Sequence, residues 1–174
     1  FYVEDTSSNP TVETLAAVHP PVRLDTVAAV FDETNENHGF IESDNAYVVV
    51  AFNEPVFGNA VLGSSVSNLA LTFDQNSGTA TNAAITGIAK NTDGSALAVG
   101  DSVMRVLLTV TGIPDGLERI KIFPGNGASV YDRAGNATAT NVETDWIYLK
   151  DKTAPVGVIV TDISGNEPAS GGKY

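Results

Sequence analysis

Short apolar runs recur along the chain, separated by clusters of Asn, Asp, Gly and Pro. They predict strands over 23–31, 46–53, 68–74, 80–89, 103–111, 117–123 and 144–150. Two runs, "AYVVVAFN" and "VMRVLLTV", are apolar almost without interruption, as central strands of two packed sheets require. "LERIKIF" alternates, setting Leu117, Ile120 and Ile122 against Glu118, Arg119 and Lys121. The stretches "NTDG", "IPDG", "PGNG" and "DRAGN" supply turn chemistry between the runs. The expected class is all-β, an antiparallel β-sandwich. Helix is expected only in "NPTVETLAAV", with Asn9 as cap and Pro10 at the first helical position, ahead of the sandwich.

The end of the chain resembles its beginning. His19–Phe40 and Thr153–Tyr174 each start on Pro-Val and continue through a strand-like run. Each then passes through Asp, Asn and Glu into glycine. This divides the chain into an extended segment or linker over 1–19, a sandwich over 20–150, and a linker with one further strand over 151–174. A single strand cannot bury its apolar side alone. Val156–Ile163 is therefore expected either to begin another repeat or to complete a neighbouring molecule.

Length and composition suit one globular domain with appendages: 174 residues, 43% hydrophobic. No run approaches the length of a membrane-spanning helix, and "YVEDTSSNPT" turns polar too early for a secretory signal. The expectation is a cytoplasmic chain, or a mature or excised piece of an exported one. Cysteine is absent, which excludes a disulfide framework, a thiolate metal site and a cysteine nucleophile. The net charge of −12 opposes binding to nucleic acid and to anionic membrane. It suits solubility or divalent cations.

Three motifs carry a resemblance. The linker "DKTAP", the strand and loop "YVVVAFNEPV" (Tyr47–Val56) and the turn "VYDRAGNAT" (Val130–Thr138) resemble the immunoglobulin-like repeats of bacterial and archaeal cell-surface proteins. Such repeats carry an Asp-Thr-Ala-Pro-like linker, a strand ending in Phe-Ser-Glu-Pro-Val, and an Asp-x-Ala-Gly-Asn turn before the last strand. Here Asn53 stands where the serine is usual. The resemblance spans roughly residues 20 to 165. It implies an extracellular immunoglobulin-like sandwich of an adhesin, a surface-layer protein or a multi-domain secreted enzyme, and does not imply catalysis.

Calcium is the candidate cofactor. "FDETNENHG" offers Asp32, Glu33, Asn35, Glu36 and Asn37, and calcium takes six to eight oxygens. Glu54, Asp132 and Asp151 are expected to lie at the same pole as that loop. The spacing is not that of an EF-hand, and the alternative is that these residues cap turns with their own side chains. Asn136-Ala137-Thr138 is a glycosylation sequon. His38 and His19 sit in loops without a nucleophile beside them, and "GNGAS" lacks the lysine and helix of a phosphate loop. Trp146 and Tyr148 share a face, expected to be core, with sugar stacking as the alternative.

Three function classes follow. The first is a non-catalytic structural or adhesive module of a large cell-surface protein, with adjacent repeats as partners. The second is a self-assembling filament or surface-layer subunit. There Val156, Val158, Val160 and Ile163 of the terminal strand, or the extended 1–20 segment, dock into a neighbouring copy. The third is a carbohydrate-binding accessory module that holds surface glycans.

Overall fold

The computed structural model describes residues 25–156. The helix-like stretch at 9–18, His19, Val158, Val160 and Ile163 lie outside them. Among the described residues there is no helix, and six strands form two antiparallel sheets of three. They are β1 (Tyr47–Ala51), β2 (Leu69–Asp74), β3 (Asn82–Lys90), β4 (Val103–Thr111), β5 (Arg119–Pro124) and β6 (Ile147–Tyr148). Strand order is β1-β4-β3 in one sheet and β2-β5-β6 in the other. The two sheets enclose one hydrophobic core.

Alternation explains which faces meet. Val48 and Val50 of β1 and Met104, Val106 and Leu108 of β4 point inward with Ile120, Ile122 and Ile147 from the second sheet. On the outer face of that sheet the register sets Arg119 beside Tyr148, while Ile120 pairs with Ile147. Trp146 and Tyr148 therefore face outward and the core face of the last strand is Ile147 and Leu149, which corrects the expectation of a core tryptophan. The Arg119 guanidinium lies 4.4 Å and the Lys121 ammonium 5.2 Å from the Trp146 ring centre. These cations compete with a sugar for that ring.

Two further expectations change. Residues 25–30 form no strand, and only Phe31 bridges to Phe52. The cause is side-chain competition for the ladder: Val30 N–H donates to the Asn53 side chain at 3.0 Å, and Val27 N–H to Asp25 at 3.1 Å. Ahead of β5 the strict alternation of Ile120 and Ile122 continues backward, which turns Glu118 inward and Leu117 outward, against the expected grouping of Leu117 with the isoleucines. Glu118 is fully buried and Leu117 is 47% exposed.

The strands define two poles. The end of β1 and the start of β4 meet at the first, where Ala51 pairs with Val103; the opposite ends lie at the second. The described chain begins at the first pole, because Asp25 stands beside Glu54, just past β1. It leaves at the second, where Lys152 N–H donates to the Pro114 carbonyl at 2.8 Å and Lys152 contacts Asp44.

Candidate functional site

At the first pole, one carboxylate oxygen from each of Asp25, Glu54 and Asp132 lies within 4.8 Å of the other two. Asp132 is completely buried in the "DRAGN" turn. Its Oδ1 accepts from the Ala134 and Asn136 N–H groups, both at 2.8 Å, and its Oδ2 from Asn136 Nδ2 at 2.7 Å. That turn is held where Tyr131 pairs with Phe57 just beyond "NEPV", which brings Asp132 toward Glu54. Asn136 also donates to the Asp25 carbonyl at 3.1 Å, drawing Asp25 into the group. Burial pushes the Glu54 carboxyl above its usual range, and the neighbouring Asp132 and Asp25 charges push the same way. With one oxygen each, the three groups supply half or fewer of the six to eight oxygens that calcium takes.

The other candidate ligands are placed elsewhere or spent on local turns. Asp32 Oδ1 accepts from the Thr34 hydroxyl at 2.6 Å and the Thr34 N–H at 3.1 Å, and the hydroxyl in particular holds its carboxyl low. Asn35 accepts from Asn37 N–H at 3.0 Å, closing the next turn. Glu33 accepts from Asp145 N–H at 3.0 Å and approaches His38 Nε2 at 3.0 Å, outside hydrogen-bond alignment. Glu36 is exposed in the same loop. Asp151 lies at the second pole against Gly116 and caps Thr153, so it does not share the pole of Glu54 and Asp132. Asp25 completes the cluster and was not expected from sequence. It stands far from Glu54 and Asp132 along the chain, and only the Asn136 contact signals its role.

His38 is not a solvated loop residue. Its side chain is 3% exposed, Nδ1 accepts from Ala51 N–H at 3.0 Å, and the ring meets Phe31 edge-on. The sequon is also engaged: Asn136 Nδ2 holds Asp25 and Asp132, and the fully buried Thr138 hydroxyl donates to the Ala29 carbonyl at 2.8 Å.

The second pole is built around a different carboxylate. Glu118 accepts from the Ala80 N–H through Oε1 and from the Asp115 N–H through Oε2 at 3.1 Å. Burial alone would push this group up. Backbone donors, Ala80 foremost, outweigh it and hold the carboxyl below its ordinary value. Gly78 makes room for it, since a Cβ there would stand 2.4 Å from the Glu118 carboxyl carbon. Beside this staple, Asn45 clamps the departing chain. Its Nδ2 donates to the Lys150 carbonyl at 3.0 Å, and its Oδ1 accepts from Lys150 N–H at 2.7 Å. Asn45 does so from a left-handed backbone conformation (φ 58°) that asparagine tolerates better than most residues. A groove of about 390 Å³ lies alongside, lined by Leu108, Val110, Ile113, Pro114 and Lys152.

No family model matches the chain, and comparisons with curated proteins and with solved structures return no match.

Proposed function

We propose that this chain is a non-catalytic structural module, an immunoglobulin-like sandwich of a large protein on the cell surface, working by spacing and adhesion. The observation that carries the reading is the placement of Asp25 and Lys152 at opposite poles, both tied into the body. A chain that comes in at one end and leaves at the other can be strung in series, and load passes along the strands. The resemblance of "DKTAP", "FNEPV" and "DRAGN" to surface repeats supports the extracellular location. His38, the described histidine, is occupied by packing and a backbone bond, which favours the non-catalytic reading. A divalent cation such as calcium at Asp25, Glu54 and Asp132 would stiffen the pole that receives a preceding module.

The test is antibody labelling of intact and permeabilised source cells. Labelling of intact cells is expected. Signal that appears only after permeabilisation overturns the reading. The second reading, a subunit that assembles by strand donation, is favoured by one specific observation: an unguarded sheet edge at β2.

A further inference from the structure

The two sheets are not closed equally on both sides. On one side, residues 39–42 run along β1, with Val49 N–H donating to the Phe40 carbonyl at 2.7 Å, and Asn45 clamps Lys150 beyond β6. On the other side β2 and β3 are the outermost strands and lie against each other across the sandwich. Their inward residues Leu71, Phe73, Ile85 and Ile88 pack on the core but remain only partly buried. The core is left half-covered along this seam.

The two edges differ in protection. β3 carries a bulge between Ile85 and Gly87 and ends on Lys90, and its last residues are covered where Ala89 bridges to Ala96. Bulges and lysines are the devices by which edge strands resist pairing. β2, "LALTFD", has none of these. It pairs with β5 in unbroken register, and among the described residues its outer edge has no backbone partner. Such an edge accepts an extended strand whose alternate side chains fill the adjoining pockets.

We propose that the β2 edge is an acceptor site for the segment Val156–Ile163 of a second copy of this chain, which would dock there as an added strand. Its valines would cover Leu71, Phe73, Ile85 and Ile88. The inference rests on the strand-donating reading and names its missing half. "VGVIVTDI" has the required composition: small β-branched side chains, and an acid only at its seventh position. A partner copy is favoured over the same molecule by the course of the linker. The last contact with the body is at Lys152, bonded to the Pro114 carbonyl; beyond it Thr153 to Val156 are exposed, Val156 to 92%, so the described chain turns away from the body there. Copies joined in this way form a head-to-tail contact that propagates.

The absence of cysteine makes a direct test unambiguous. Cysteine is placed in the full chain at Leu71 or Phe73, combined with Val156→Cys, Val158→Cys or Val160→Cys. The chains are mildly oxidised and resolved without reductant, and the cross-links are mapped by mass spectrometry. The expected result is a ladder of linked chains from at least one β2–donor pair, and only dimers when separate single-cysteine chains are mixed. A linked monomer would place the strand on its own body and overturn the second copy as occupant. Linkage between two Leu71→Cys chains alone would show β2 pairing with β2, overturning the donor strand. If no pair links but the unmodified chain still forms oligomers by light scattering, the β2 site falls and assembly survives. If the unmodified chain is monomeric as well, both fall.

Discussion

Glu118 and Glu54 are carboxylates with opposite tendencies, and each shift has a consequence for stability. Backbone donors hold the folded pKa of Glu118 below its value of 4.5 in the open chain. A depressed acid stabilises the fold above the open-chain pKa, and the contribution is lost as pH falls through the folded one. Glu118→Gln leaves an amide N–H₂ facing backbone donors, a loss on the order of 1–3 kcal/mol. Thermal melts should show a lower midpoint at pH 7 and a shallower decline below pH 4.5 than in the unmodified protein. An unchanged midpoint at pH 7 would contradict the staple. Glu54 is raised, so ionising it weakens the fold, and that loss grows as pH rises through its folded pKa. Glu54→Gln is therefore expected to raise the melting midpoint at pH 7 in chelator. It should also abolish any rise that calcium produces. A lower midpoint in chelator would show that the Glu54 charge is itself a stabilising contact.

At the level of elements, β3 shows how one residue reconciles two demands. Ile85 and Ile88 both face the core although they are three apart, because Thr86 is accommodated as a bulge opposite β4. Deleting Thr86 would set Ile85, Gly87 and Ile88 in regular alternation, keeping the apolar face while removing the kink. The shortened protein should fold and bind no hydrophobic dye, yet scatter more light at high concentration as a second edge opens to pairing. A protein that fails to fold would mean that the bulge is required for register. The strands themselves were legible in the sequence because β-branched runs and Asn/Asp/Gly/Pro punctuation are local signals: β1, β2, β4 and β6 fall within expected runs, and β3 and β5 overrun theirs by one residue, Lys90 and Pro124. The elements that were misjudged depend on distant partners. The stretch before Phe31 loses its ladder to the Asn53 and Asp25 side chains, and Trp146 faces outward because Arg119 and Lys121 stand beside it. Glu118 reads as a surface residue in "LERIKIF", and only the Ala80 and Asp115 donors make its burial tolerable.

Over residues 25–156 the molecule is a sandwich spanned from pole to pole, and the two ends of this body are fastened differently. The first pole relies on Asn136, whose side-chain nitrogen reaches both Asp25 and Asp132. Two of the three carboxylates of that cluster were readable, since Glu54 and Asp132 lie within recognisable motifs, whereas Asp25 is recruited by tertiary contact. The second pole relies on Asn45, Lys152 and Glu118, which bind the departing chain and the β4–β5 loop to the body. In a module strung in series these fasteners carry the load before the core does. Force spectroscopy between handles at residues 25 and 152 measures this directly, comparing the unmodified protein with Asn45→Gly, which accepts the left-handed backbone but lacks the clamp. The account predicts one cooperative unfolding event and a lower unfolding force for Asn45→Gly. Gradual extension without a peak, or equal forces for the two proteins, would contradict a load-bearing module.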